Sequence, residues 1–100
     1  MTPPLIICGG QNDYHFDGSQ KPAEICIGLA RRVTITVTIP PGEHWDAPEV
    51  TDPGLLVPSD AGVTGDTSHI IVRGVETGAS SITISSGGTV VWTLLIAVSR

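Results

Sequence analysis

The residues that could do acid–base chemistry lie together in one proline-flanked segment. Glu43, His44 and Asp46 follow Pro40-Pro41-Gly42, and a histidine beside carboxylates is a common general acid–base pair. However, no serine of the sequence stands in the Gly-x-Ser-x-Gly turn that presents a nucleophile. We therefore interpret the three side chains as a charged turn and predict a protein that is not an enzyme. We also interpret the serines of the later strands as non-catalytic. They are Ser80, Ser81, Ser85 and Ser86.

A second group of polar residues has the spacing of possible metal ligands. Asp13, His15 and Asp17 alternate, so in an extended segment they project on one side. A calcium loop would offer more oxygen ligands and a bidentate glutamate, which this segment lacks. We interpret it as solvated and predict no metal and no cofactor.

The two cysteines, Cys8 and Cys26, are 18 positions apart, with no second cysteine pair. This spacing makes a structural zinc site improbable. A disulfide would stabilise the fold by about 3 kcal/mol, but a reducing cytoplasm keeps thiols free. The N-terminal Met1-Thr2-Pro3-Pro4 lacks the basic region of a secretory signal. We therefore expect synthesis in a cytoplasm and reduced, buried thiols.

The composition indicates one all-β domain. The chain has 100 residues, of which 40% are apolar and 15% are charged, so it can fill a single core. Eleven Ile, 11 Thr and 10 Val against four Glu and one Lys favour strands over helices. A net charge of -5 disfavours a nucleic-acid partner. The apolar stretch Val90–Val98 is shorter than the roughly 20 residues of a membrane helix.

One segment gives a clear strand signal. Val33–Ile39 alternates apolar residues with threonines, which predicts a half-buried antiparallel strand, and Pro40-Pro41-Gly42 ends it. Glu24–Leu29 repeats the alternation. With a turn at Ala30-Arg31-Arg32 between them, the two segments predict a hairpin or two consecutive edge strands.

Proline and glycine positions divide the rest of the chain. The prolines between residues 43 and 58 predict corners with short extended pieces at Glu49–Thr51 and Leu55–Val57. Ser59–Ser68 has the composition of an exposed loop. Three further strands follow, the last two joined by a hairpin at Gly87-Gly88: His69–Val75, Ser80–Ser85 and Thr89–Val98. Short strands at a spacing of roughly ten residues predict an immunoglobulin-like antiparallel β-sandwich.

The N-terminal arm, residues 1–20, lacks this pattern, so we predict a sandwich domain over 21–100 preceded by an extended arm. The last strand is apolar on both faces, and Val90 and Trp92 lie on the same face. A strand with one face in solvent does not need apolar residues on that face. We predict that the apolar segment of the arm covers the second face, in its own chain or a neighbour. The predicted partner-binding residues are Leu5, Ile6, Ile7, Val91 and Leu95.

The run Trp45–Leu56, with its Asp52-Pro53-Gly54 corner, followed by Gly78–Ile84, resembles bacterial immunoglobulin-like group 2 domains. The same stretch, within residues 24–100, is similar to chagasin-like inhibitors of cysteine peptidases. Both resemblances imply an immunoglobulin-like sandwich with Trp45 in its core. Chagasin-like inhibitors carry an Asn-Pro-Thr-Thr-Gly loop and an Arg-Pro-Trp loop, and neither is matched here.

The resemblance to group 2 domains, which occur in adhesins and in bacteriophage virion proteins, implies a binding role. We expect a capsid decoration or accessory protein of the virion, made in the host cytoplasm, that docks on the major capsid protein and on copies of itself. The alternative is a chagasin-like cysteine peptidase inhibitor or an adhesion domain that uses its end loops. Neither function involves nucleic acid or a membrane.

Overall fold

The computed structural model describes residues 12–22 and 24–100. The described residues form eight strands, packed as two four-stranded sheets. The strands are β1 (Asp13–Asp17), β2 (Ile25–Gly28), β3 (Arg32–Thr38), β4 (Glu49–Val50), β5 (Leu56–Thr64), β6 (Thr67–Gly74), β7 (Gly78–Ser86) and β8 (Thr89–Ser99). Sheet A has the order β1-β3-β6-β5 and sheet B the order β2-β8-β7-β4. The predicted all-β, immunoglobulin-like sandwich is confirmed.

The core lies between the two sheets and is built from alternate residues of the central strands. Val33, Ile35 and Val37 of β3 are fully buried, as the alternation predicts, and β3 pairs antiparallel with β6. Each such side chain contributes about 1.5–3 kcal/mol when removed from water. The predicted burial of Trp45 is also confirmed, since it belongs to the same core.

The predicted hairpin between β2 and β3 is wrong. β2 pairs in parallel with β8 at the edge of sheet B, whereas β3 lies inside sheet A between β1 and β6. The turn after β2 therefore carries the chain from one sheet to the other, with Ala30 at a φ of 67°. Alternation shows which side chains share a face but not which strand is the neighbour.

The prediction of an exposed loop over Ser59–Ser68 is also wrong, because β5 and β6 form a hairpin whose turn is Gly65-Asp66. β5 is an edge strand whose side chains are mostly exposed, so it has the polar composition of a loop. Its register shifts between Pro58 and Asp60. Proline and a bulge are typical of edge strands, which they protect from unwanted pairing.

Residues 13–17 form a strand, β1, in a region where only an extended arm was predicted. β1 pairs in parallel with β3 at the other edge of sheet A. Tyr14 and Phe16 are half-buried and pack against the core, whereas the alternate polar residues are exposed. The sequence contains a signal for this strand, because Tyr14 and Phe16 alternate with polar residues. The boundary between arm and domain after residue 20 stays a prediction.

The first half of β8 departs from simple alternation. Trp92 pairs with Ile84, but Val90 pairs with Ser85, so the register shifts at this point. A bulge of this kind turns the residues beyond it to the other face. Val90 is 55% exposed and pairs with Ser85, so the prediction that it shares a face with Trp92 is wrong.

Candidate functional site

Three connections meet at one end of the sandwich, which we call the loop end. They are the β3–β4 connection (39–48), the β5–β6 turn (65–66) and the β7–β8 turn (87–88). The Ile39 N–H donates to the carbonyl of Asp66 at 2.7 Å, and the Asp46 N–H donates to the carbonyl of Ser85 at 2.8 Å. Main-chain hydrogen bonds therefore hold the long connection to the two short turns on either side.

Serine side chains add further bonds between these connections. The Ser86 hydroxyl donates to the carbonyl of His44 at 2.7 Å. Ser68, which is fully buried, donates to the carbonyl of Asp46 at 3.4 Å. The Ser85 carbonyl and the Ser86 hydroxyl therefore both help to hold the loop end together. Sequence reasoning missed this role because a serine's partner 20 or more positions away leaves no local signal.

Tight turns shape the exposed tips of the loop end. Pro40–Glu43 is closed by a bond from the Glu43 N–H to the carbonyl of Pro40 at 3.1 Å, with Pro41 and Gly42 in the central positions. Gly87 and Gly88 have φ values of 59° and 90°, which are the positive angles of a two-residue hairpin turn. The predicted hairpin at this position is confirmed, and its tip carries no side chain.

Trp45 anchors the loop end to the core. The indole is 6% exposed, and its Nε1–H donates to Glu43 Oε1 at 3.0 Å. The same carboxylate belongs to the charged turn considered for acid–base chemistry. The Glu43 carboxylate therefore fixes the orientation of the indole. His44 and Asp46 contribute main-chain groups to the hydrogen bonds that connect the loops.

The segment that follows β1 also reaches the loop end. The Gly18 N–H donates to the carbonyl of Thr38 at 2.8 Å, and the Trp92 indole N–H donates to the carbonyl of Gln20 at 3.2 Å. The rings of Phe16 and Trp92 lie 5.6 Å apart between centroids. Between this segment and β8 runs a groove of about 370 Å³, lined by residues 18–22 and 90–93.

Asp17 stabilises the turn that opens this segment. Its carboxylate accepts hydrogen bonds from the Ser19 N–H at 2.9 Å and the Ser19 hydroxyl at 2.7 Å. These two hydrogen bonds hold the pKa of Asp17 below its ordinary value of 3.8, and the bond from the Ser19 N–H has the larger effect. Both bonds favour the ionised carboxylate.

We expect Asp17→Asn to remove a pH-dependent contribution to stability. Since the pKa of Asp17 is lower in the folded chain than in the unfolded chain, the ionised group stabilises the fold above the unfolded pKa. This contribution is lost as pH falls through the folded pKa. Urea unfolding of both proteins from neutral to strongly acidic pH should show a small difference that closes in acid. A difference independent of pH would contradict this role.

The alternating residues of β1 do project to one side, as predicted. Asp13, His15 and Asp17 are exposed, and His15 Nε2 lies 3.8 Å from Asp13 Oδ1. A similar pair lies on the same face of sheet A, beyond β3, where His69 Nε2 is 3.9 Å from Asp60 Oδ2. Within residues 12–22 and 24–100, no three His, Cys, Asp or Glu side chains are placed to hold a metal ion.

The charge of the loop end is acidic. Glu43, Asp46 and Asp66 lie in its connections, and Lys21 is the one lysine of the sequence. Opposite charges on two surfaces accelerate their association and fix their orientation. The loop end is therefore suited to a partner with a basic or uncharged rim.

The predicted partner-binding residues lie partly outside the described residues. Val91 and Leu95 are on β8, with 41% and 55% of their surface exposed. Leu5, Ile6 and Ile7 belong to the residues that the structure does not describe. Their contact with β8 therefore stays a prediction.

The expectation of reduced thiols is wrong. Cys26, on β2, is disulfide-bonded, and the described part of the chain contains no free cysteine. Cys8 lies outside the described residues. The expectation rested on a cytoplasmic compartment and not on geometry, and two cysteines in a small domain are equally compatible with a bridge.

No helix among the described residues is long and apolar enough to cross a membrane. No protein-family model and no curated protein sequence matches the chain.

Solved structures with the same fold do match. A cysteine protease inhibitor from Entamoeba histolytica aligns with a TM-score of 0.58 and 13% identity, covering 87% of this chain and 96% of the inhibitor. Domains 4 and 5 of the S-layer protein SbsC align with a TM-score of 0.57 and 22% identity, covering 79% of this chain and 49% of that one. A longer SbsC structure aligns at 0.55 and 23% identity, with 12% of it covered. These neighbours are an inhibitor and S-layer domains, none of them an enzyme, and they establish an immunoglobulin-like, chagasin-like sandwich.

Proposed function

We propose that this chain is a non-enzymatic protein-binding module that engages its partner with the loop end, and that the partner is a papain-like cysteine peptidase. The observation that carries the proposal is the set of main-chain bonds that lock three connections into one surface. A surface that is ordered before binding loses little conformational entropy when the complex forms.

The shape of the loop end suits insertion into a cleft. The Gly87-Gly88 tip has no side chains, and the turn around Pro41 is exposed beside it. Both tips rest on buried tryptophans, Trp45 below the long connection and Trp92 near the start of β8. Narrow tips on a rigid base can enter a groove that a flat sheet face cannot.

The similarity to an inhibitor of cysteine proteases along 96% of that inhibitor's length supports this choice of partner over the virion lattice. The contacts must differ in detail, because the loops here lack the Asn-Pro-Thr-Thr-Gly and Arg-Pro-Trp sequences of chagasin-like inhibitors. The long connection here offers Pro41 and His44, and the short turn offers main-chain groups of Gly87 and Gly88.

The test is inhibition of papain by the full chain and by two matched variants. Thr89→Arg places a long cation beside the Gly87-Gly88 tip, whereas Thr77→Arg makes the same change in the β6–β7 connection at the opposite end; both threonines are exposed. We expect Thr89→Arg to raise the inhibition constant at least about tenfold, because it obstructs the contact surface. Thr77→Arg should leave the constant unchanged.

Two results would overturn the proposal. Absence of inhibition by the unaltered chain would exclude a papain-like peptidase as the partner. Inhibition that both arginine variants weaken equally, or that neither weakens, would exclude the loop end as the contact surface. Circular dichroism of each variant separates a lost contact from a lost fold.

A second candidate is a lattice-bound accessory protein, of the virion type expected from the sequence or of another assembly. Exposed Val91 and Leu95 on β8 favour it, since surface apolar patches mark protein contacts. Strand addition is a poor route to such a lattice, because β1, β2 and β4 are short edges and β5 carries Pro58. A copy number near that of the shell protein in purified particles would support this candidate, and absence from them would exclude it.

A further inference from the structure

We infer that copies of this chain associate head to tail, with the arginine-rich end of one copy in contact with the acidic loop end of the next. The arginine-rich end is the end of the sandwich opposite the loop end. This association involves the chain alone and is measured without a peptidase, so it does not rest on the partner proposed above.

Four of the five cationic side chains of the sequence lie at the arginine-rich end. β3 begins there, and β6 and β8 end there. The connections at this end carry two carboxylates, Asp52 and Glu76, so the arginines outnumber them. The four cationic residues are all exposed, and they are Arg31, Arg32, Arg73 and Arg100.

Two of these arginines form a pair of like charges. Arg32 and Arg73 are directly opposite each other in the register of β3 and β6. Their neighbours Val33 and Val72 are fully buried, and side chains alternate along a strand, so both arginines point away from the core. Like charges directly opposite each other on neighbouring strands destabilise a sheet. An acidic surface placed over the pair would remove this cost.

The pair has no carboxylate of its own. Within residues 12–22 and 24–100, the ion pairs are two contacts between histidine and aspartate, which engage Asp13 and Asp60. Arg31 Nη1 donates to an uncharged group, Asn12 Oδ1, at 3.2 Å. Guanidinium groups form their strongest hydrogen bonds with carboxylates, often two at a time. The arginine-rich end is therefore suited to carboxylates of another molecule.

The loop end offers such carboxylates. Asp46 and Asp66 are exposed there, and main-chain hydrogen bonds fix the backbone of both residues. The three connections that form the loop end contain no lysine or arginine, and Lys21 lies in the segment beside them. Charge complementarity of this kind sets the orientation in which two surfaces meet.

The two charged ends are too far apart to neutralise each other within one copy. Asp66 immediately precedes β6, and Arg73 lies near the other end of that strand, which is about 23 Å away. The Debye length is about 10 Å at 0.1 M salt, so the ends are screened from each other. Contact between copies brings them together. Because the two surfaces differ, the contact is heterologous and can add one copy after another.

The test is sedimentation velocity of the full chain at roughly 0.1 M and roughly 1 M salt, where the Debye lengths are about 10 Å and about 3 Å. We expect reversible association at the lower salt concentration and monomers at the higher. Arg73→Glu and Asp66→Lys should each lower the association constant at least about tenfold, because each places like charges in contact. The two substitutions shift the net charge in opposite directions, so an effect of net charge alone cannot weaken association in both.

A mixture of the two variants tests the head-to-tail arrangement directly. Asp66→Lys keeps an intact arginine-rich end, and Arg73→Glu keeps an intact loop end, so the mixture should form dimers as strongly as the unaltered chain does. Glu24→Lys is the control, because it makes the same change of charge at an exposed position before β2 and should not weaken association. Arg73→Glu also places opposite charges across from each other at Arg32, which favours the sheet, so circular dichroism should show an unchanged fold.

Four outcomes would overturn this assignment. They are a chain that stays monomeric at roughly 0.1 M salt, association that is unchanged at roughly 1 M salt, a mixture that associates no better than each variant alone, and an equal loss in Glu24→Lys. Inhibition of papain is a separate measurement. Arg73→Glu has an unaltered loop end, so its inhibition constant decides the proposed function and not the association.

Discussion

Trp45→Ala is expected to lower the free energy of unfolding by about 3–5 kcal/mol, the range for a buried tryptophan truncated to alanine. Domains of this size have total stabilities of about 5–15 kcal/mol, so the variant should lose a large share of its stability. The indole fills the core below the long connection, and its Nε1–H holds Glu43. Urea unfolding followed by circular dichroism measures the loss.

Trp45→Phe is the matched control. Phenylalanine keeps most of the apolar volume but has no N–H for the Glu43 carboxylate. We expect it to retain most of the stability that the alanine variant loses. An alanine variant as stable as the unaltered chain would show that Trp45 is not a core residue.

Gly18→Ala is expected to destabilise the fold by about 1–3 kcal/mol, as overpacking does. A Cβ at this position would lie 2.6 Å from the carbonyl oxygen of Thr38 and 2.6 Å from Cη2 of Trp45. The oxygen belongs to the main chain of β3 and the ring is buried, so neither can move freely. Urea unfolding gives the stability, and the tryptophan emission spectrum reports displacement of the indole.

The control for this variant is Gly54→Ala. A Cβ there would meet no atom within 4 Å, so its effect should stay within about 0.5 kcal/mol. Equal effects of the two alanines would contradict the close packing of Gly18 against Trp45.

The sequence allowed the faces of the strands to be predicted, but not their neighbours. The alternation of Val33, Ile35 and Val37 is dictated by burial of one face, so it is visible locally. The partner of β2 is determined by β8, some 70 positions away, and leaves no local trace. β5 was hidden for another reason: an exposed edge strand needs no apolar face, so Ser59–Thr64 has the composition of a loop.

In the candidate site, too, local features could be predicted from the sequence and long-range contacts could not. The turns at Pro40–Glu43 and Gly87-Gly88 could be predicted, because each depends on adjacent residues with special backbone angles. Their assembly into one surface could not, because it depends on bonds such as that between Ile39 and Asp66. The disulfide of Cys26 was misjudged because a compartment was used to decide a question of geometry.

The parallel pairing of β2 with β8 also bears on how the protein is made. Ile25–Gly28 acquires its neighbour only when Ile96–Ser99 is available, and sheet B then gains the edge that β2 supplies. During synthesis the β3–β6 pair can form first, but the apolar residues of β2 must wait for the end of β8. Such long-range closure is slow compared with local hairpins. Ile25 and Ile27 therefore lack their strand partner until about residue 99 has left the ribosome, and exposed apolar surface of this kind favours aggregation.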